Sequence, residues 1–231
     1  VGETVALVGE SGCGKSTVAR VALRLMEADG GSVGFDGANV LEASRLDMRG
    51  LRRRMQMVFQ DPASSLDGRQ RIVDALGEPL KVHGLADRST VRDAVARLLD
   101  EVGLPRSALD RYPHEFSGGQ RQRLLLATDL SCDPSLLVAD EPTTALDVTT
   151  QREILALLRR LAAERGLALL FVTHDFGVLA SLCDRVTVLY AGRVAEGGPT
   201  RAVLDAPEHP YTRLLLACHP DRATDLAGIP G

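Results

Sequence analysis

Lysine is nearly missing from this 231-residue chain: of 27 basic residues only Lys15 and Lys81 are lysine, and arginine serves wherever else a cation stands. A lysine here needs a local reason. Cysteine is also sparse. Cys13, Cys132, Cys183 and Cys218 lie far apart, with no CxxC pair and no nearby histidine cluster, which argues against a disulfide framework or a cysteine metal site and leaves free thiols. No run approaches about 18 apolar residues, so nothing reads as a membrane span, and no charged-then-apolar N-terminus reads as a secretion signal. The expected compartment is the cytoplasm. The formal charge of −4 arises from interspersed acids and bases, so no broad basic face points to nucleic acid as the main ligand.

What is present suits one large domain, or one domain with an inserted piece: 45% of residues are hydrophobic, enough for a core. Val5-Ala6-Leu7-Val8 is a short apolar run ending in a glycine-rich loop, and Val18, Ala22 and Leu25 then recur on one face of a predicted helix from Ser16 to Met26. Val33 and Phe35 alternate before Asp36-Gly37, which predicts a hairpin at an edge. Met55 to Phe59 reads as a buried strand after the charged segment Asp47 to Arg54, whose Arg52-Arg53-Arg54 suits a solvated helix end. From about Asp67 to Cys132 the strand signal disappears. There Ser89 is expected to cap a helix carrying Val91, Val95, Leu98 and Leu99 that stops at Gly103. Strands return at Leu136 to Ala139 and Leu167 to Val172, separated by the amphipathic run Val148 to Arg165 that Gly166 ends. The tail adds Arg185 to Tyr190, a turn at Ala191-Gly192, Arg193 to Glu196, and a helix after Pro210. Continuous apolar strands alternating with helices imply an α/β fold with a parallel sheet covered on both faces.

Gly9-Glu10-Ser11-Gly12-Cys13-Gly14-Lys15-Ser16-Thr17 fits GxxxxGK[ST] between a predicted strand and a predicted helix, so Gly9, Ser11, Gly12, Cys13, Gly14, Lys15, Ser16 and Thr17 form the expected nucleotide site. Glycines let backbone N–H groups turn inward around phosphate oxygens, and the following helix N-terminus adds partial positive charge. Lys15 supplies a compact charge where a planar guanidinium would not fit, which is its local reason. The Ser16 hydroxyl suits Mg²⁺. Cys13 marks a position whose side chain is free to vary. Asp140-Glu141 follows a buried strand, placing two acids where ligands bind in open α/β sheets. Adjacent side chains point opposite ways, so Asp140 is assigned to the Mg²⁺ shell and Glu141 to the γ-phosphate, as the base for the attacking water. The chain thus reads as a P-loop ATPase that uses ATP and Mg²⁺.

Phe116-Ser117-Gly118-Gly119-Gln120-Arg121-Gln122-Arg123 narrows this, because it resembles the signature of ATP-binding cassette (ABC) ATPases, normally LSGGQ, with Phe116 in place of Leu. The motif order matches as well: phosphate loop, Gln60 in Val58-Phe59-Gln60-Asp61-Pro62, signature, Asp140-Glu141, Ala145-Leu146-Asp147, and His174 in Val172-Thr173-His174-Asp175. The resemblance covers essentially the whole chain. It implies a P-loop NTPase (RecA-like) core with a parallel sheet, an antiparallel β edge and an inserted α-helical subdomain. The core is expected at about 1–66 and 133–231 and the insertion at about 67–132, with the native first strand and a C-terminal extension outside this chain. Ser117, Gly118, Gly119 and Gln120 open a helix, so hydroxyl, amides and dipole form a second anion-binding surface. In this family that surface meets the nucleotide of a partner cassette, and two head-to-tail subunits sandwich two ATPs. By the same resemblance Gln60 touches Mg²⁺ and water, Asp147 lies at the dimer seam, and His174 hydrogen-bonds the γ-phosphate.

Two departures are noted. Thr128 stands where the family usually carries Arg, which leaves Asp129 unpaired and implies lowered turnover. The aromatic residue that stacks on adenine would precede the first strand and is not in this chain. His83, His114, His209 and His219 are expected to be structural or solvent-facing. Flanking text, including Glu78-Pro79-Leu80, Tyr112-Pro113-His114-Glu115-Phe116 and His209-Pro210-Tyr211-Thr212, resembles the oligopeptide/dipeptide/nickel importer ATPases. That likeness implies a second ABC ATPase subunit, two transmembrane permease subunits, indirectly a substrate-binding protein, no nucleic acid, and a place on the cytoplasmic face of the membrane. The DNA-repair and chromosome-structure ABC proteins are disfavoured, because no heptad run lies between Lys15 and Ser117. A regulatory subunit that does not hydrolyse ATP is the other rival.

Overall fold

A computed structural model describes residues 2–59, 65–144 and 146–218. Gln60, assigned above to metal and water, and Ala145 lie outside the described residues. Six strands form one sheet in the order β4-β5-β6-β1-β7-β8: β1 (Thr4–Val8), β4 (Met55–Val58), β5 (Leu136–Asp140), β6 (Ala168–Thr173), β7 (Arg185–Tyr190) and β8 (Arg193–Pro199). The first five run parallel and β8 pairs antiparallel with β7, which is the expected antiparallel edge. The hairpin β2 (Gly34–Phe35) and β3 (Ala38–Asn39) is a separate two-stranded sheet, not part of that edge. Its turn puts Asp36 at φ 54° and Gly37 at φ 80°, both left-handed, as a two-residue hairpin loop requires.

Strand alternation sorts the core into two layers. Ala6, Val8, Leu137, Ala139, Leu169 and Phe171 face one side, with α5 (Gly118–Leu130) and α6 (Val148–Arg165) in the same cluster. Leu7, Val138 and Val172 face the other, against α1 (Lys15–Ala22) and α2 (Arg45–Arg54). Between β4 and β5 the described elements are helical: α3 (Ile72–Val82), α4 (Val91–Glu101) and α5. After β6 come α7 (Leu179–Leu182), α8 (Thr200–Asp205) and α9 (Pro210–Ala217). Gly166, at φ 60°, ends α6 where expected. No described helix is long and apolar enough to cross a membrane.

Two local expectations are corrected. Helix α1 stops at Ala22 and buries Lys15 and Ala19, while Val18 and Leu25 are 44% and 46% exposed. Its inner face is chosen by small Ala19 and by a lysine that periodicity counts as polar. Ser89 does not cap α4. Asp87 instead accepts from the N–H and hydroxyl of both Ser89 and Thr90, and those bonds, hydroxyls first, hold its carboxyl down at about 2.

Candidate nucleotide site

Register aligns the site. Val8 pairs with Thr173, and Asp140 lies beside Val172, so the phosphate loop after β1, the acids ending β5 and His174 after β6 all leave one edge of the sheet. This is the carboxyl edge at which open α/β sheets hold ligands.

The phosphate loop needs glycine at two points for visible reasons. Gly14 is the N-cap of α1 at φ 104°, with no side chain over the first N–H groups of the helix. At Gly9, φ is 155°, and a Cβ would stand 2.3 Å from the Leu189 carbonyl oxygen and 2.7 Å from Cys13 Sγ. The Cys13 side chain is therefore not free to vary, as the sequence suggested; it is 8% exposed and packed into the second core layer. Lys15, 5% exposed, donates from Nζ to the carbonyls of Gly9 and Glu10, each at 2.8 Å, so a compact ammonium sits inside the loop. Ser11, Gly12 and Thr17 are exposed around it.

Ser16 Oγ donates to Asp140 Oδ1 at 2.9 Å, joining α1 to the end of β5. Asp140 is 2% exposed, and burial pushes its carboxyl up against the pull of Ser16 and Arg20. A hydroxyl beside a buried carboxylate is a hard oxygen pair of the kind Mg²⁺ accepts, so the donor set fits that ion. Glu141 takes a left-handed backbone, φ 47°, uncommon for a side chain of its size, and its N–H donates to Val172 O at 2.9 Å. That turn sets Glu141 Oε1 at 3.0 Å from His174 Nδ1, while the Thr144 hydroxyl donates to Oε2 at 2.9 Å. Burial pushes the Glu141 carboxyl up, but His174 and Thr144 outweigh it and hold the group below the usual range.

The remaining predicted residues gather elsewhere. Ser117 is the N-cap of α5: its hydroxyl accepts from Gln120 N at 3.3 Å and Gln120 Oε1 accepts from Ser117 N at 3.0 Å, a reciprocal capping box. Asp147 caps α6 through the N–H groups of Thr149 and Thr150 at 3.1 and 3.0 Å, and its other oxygen takes the Thr150 hydroxyl at 2.7 Å. Thr150, first through its N–H, holds the Asp147 carboxyl below its ordinary value. The two helix starts touch. A Cβ on Gly119 would lie 2.4 Å from Thr150 Cγ2, and one on Gly118 would lie 3.6 Å from Leu146. One cluster thus holds Lys15, Ser16, Asp140, Glu141 and His174, and another holds Ser117, Gly118, Gly119, Gln120 and Asp147.

Thr144, Thr150 and Tyr211 were not foreseen. Thr144 stands three residues after Glu141, a spacing that could have flagged it, and its own N–H donates to Glu141 O at 3.3 Å in the same turn. Thr128 donates back to Leu124 O at 3.0 Å, and Asp129 has no hydrogen-bond or ion-pair partner among the described residues.

Comparison with known proteins agrees with this geometry. A family model described as ABC transporter matches residues 1–144. The chain is 49% identical over 219 residues to the glutathione import ATP-binding protein GsiA of Escherichia coli K12, covering 95% of this chain and 35% of that protein. It therefore spans about a third of the length of the glutathione import relatives it matches. It is 46% identical over 224 residues to a Brucella ovis protein provisionally named for peptide import and ATP binding, covering 97% and 71%. Among solved structures it is similar to cbiO1 of Clostridium perfringens, part of the ABC transporter complex cbiONQ, at TM-score 0.80 and 30% identity over 89% of this chain and 80% of that one. It is similar too to the ATP-binding cassette MJ0796, a dimer in a post-hydrolysis state with ADP and Pi, at TM-score 0.76 and 30% identity over 87% and 86%.

Proposed function

Because this chain belongs to the ABC transporter family, we propose that it is the ATP-hydrolysing, nucleotide-binding part of an importer for peptides or a similar small solute. It works as one half of a dimer with a second cassette and drives two transmembrane permease subunits, which hold it on the cytoplasmic face of the membrane, with a substrate-binding protein acting upstream. The observation that carries this reading is the convergence of Lys15, Ser16, Asp140, Glu141 and His174 at the ends of three adjacent parallel strands.

Lys15 and the uncapped start of α1 bind the outer phosphates of ATP. Ser16 and Asp140, with Gln60 by family resemblance, would hold Mg²⁺, which when bound offsets charge on the phosphate oxygens. Glu141 takes the proton of the attacking water. While His174 and Thr144 both donate to it, its carboxylate is well oriented but weakly basic. His174 orients Glu141 through Nδ1 and, by family resemblance, hydrogen-bonds the γ-phosphate. Ser117, Gly118, Gly119 and Gln120 at the start of α5 supply a second anion surface to the nucleotide of the partner cassette, and Asp147 stands at the seam. The relative MJ0796, solved as a dimer, supports this arrangement. The helical stretch of about 67–132 is the inserted subdomain that carries the signature between the two parts of the core. Closure is driven only by contacts that favour the closed state, so Ser117 and His174 supply the difference.

Glu141→Gln tests the reading. The variant should bind ATP, form a stable dimer by light scattering, and lose about 10²- to 10⁴-fold in turnover. Unchanged steady-state ATPase removes Glu141 as the base, and a variant that stays monomeric with saturating MgATP removes the sandwich.

A further inference from the structure

His209-Pro210-Tyr211-Thr212, up to this point only a mark of the family branch, reaches the phosphate loop. Glu196 on β8 accepts from the N–H groups of Glu208 and His209 at 2.9 and 3.1 Å, which pins the turn before α9. His209 Nδ1 then accepts from Tyr211 N at 3.2 Å, and Pro210 occupies the first helical position. Tyr211 is 6% exposed, with its ring against Tyr190 at a centroid distance of 4.4 Å. Its hydroxyl oxygen accepts from the N–H of Glu10 at 3.2 Å, across 201 positions of sequence.

That N–H belongs to the Gly9–Glu10 peptide unit, whose carbonyl, Gly9 O, accepts from Lys15 Nζ at 2.8 Å. A single peptide plane is thus held at one end by the last described helix and at the other by the lysine of the phosphate loop. The neighbouring β7–β8 turn completes the frame: Leu189 O lies against Gly9, and Gly192 N–H donates to Cys13 O at 3.0 Å. A peptide fixed from both sides cannot rotate to turn its carbonyl away from Lys15.

We propose that Tyr211 is a positioning residue for nucleotide binding, which fixes the Gly9–Glu10 peptide, sets the seat of Lys15, and couples the docking of α9 to occupancy of the phosphate loop. The proposal rests on the reading of that loop as the ATP site. Coupling of this kind is reciprocal, so bound ATP also holds α9 in place.

Tyr211→Phe in the full chain keeps the ring on Tyr190 and removes only the hydroxyl that accepts from Glu10 N–H. Its dissociation constant for MgATP by calorimetry should rise about two- to tenfold, the worth of one net hydrogen bond. KM should rise in step, kcat should stay within about twofold, and the thermal midpoint should fall by no more than a few degrees. In the parent chain MgATP should slow amide exchange across residues 210–217, and in the variant it should do so less. Parent-like affinity in Tyr211→Phe, or exchange at 210–217 indifferent to ATP in the parent, overturns the proposal. Lys15→Ala separates the two levels. If it retains MgATP affinity the loop reading itself fails, whereas if it loses affinity and Tyr211→Phe is silent only the clamp fails.

Discussion

Replacing Asp129 with alanine is expected to stabilise the protein at neutral pH and to lose most of that advantage in acid. Asp129 stands in the last turn of α5, lining a small cavity with Met57, Phe59, Ser65, Leu125 and Thr128. It is partly exposed and no described residue pairs with it, and burial pushes its carboxyl well above the ordinary range. The negative end of the helix dipole adds to the cost of the anion. A carboxyl whose folded pKa exceeds its unfolded value, about 3.9, binds protons more tightly when folded. Its penalty is therefore absent below the unfolded value and grows to full size as pH rises through the folded one.

An enclosed polar group without a partner costs about 1–3 kcal/mol, and the partial exposure of Asp129 puts it at the low end, about 1 kcal/mol. Alanine also gains up to about 0.7 kcal/mol in helix propensity, and that part does not depend on pH. Urea midpoints, read with an unchanged slope, should give a gain of about 1–2 kcal/mol near pH 7.5 that shrinks to about 0.5 kcal/mol near pH 4. Equal gains at both values, or a loss at neutral pH, would refute the reasoning.

Thr144→Val removes a hydroxyl donor from Glu141, so the carboxyl rises and the acidic limb of the ATPase pH profile should move to higher pH, with kcat about three- to tenfold lower as the carboxylate loses its orientation. Thr144→Ser should restore both, and a limb that does not move contradicts this role. Gly119→Ala drives a methyl into Thr150 Cγ2 and should cost about 1–3 kcal/mol by urea denaturation. Adding Thr150→Ser removes that methyl while keeping the hydroxyl on Asp147, so most of the loss should return; failure to recover points to backbone strain instead.

Much of the site was legible because its requirements are local. The spacing of Gly9, Gly14 and Lys15 encodes a backbone path, and the pair Asp140-Glu141 after an apolar run encodes a strand end. Helix α1 misled because periodicity treats Lys15 as a surface residue, whereas the loop carbonyls of Gly9 and Glu10 make its burial possible. Ser89 misled for a smaller reason: Asp87, two residues earlier, takes the Ser89 hydroxyl along with the N–H groups of Ser89 and Thr90, which leaves that hydroxyl off the helix start.

The amino-acid order by itself determined the motif series and the strand and helix types, since each depends on residues within a few positions of one another. Tertiary structure decided which atoms meet: Thr144 and His174 on the two oxygens of Glu141, Thr150 against Gly119, and Tyr211 on the Glu10 N–H. Those contacts depend on strand register and on where chain ends fold back, and distances of a few ångströms across as many as 201 positions leave no trace in local pattern.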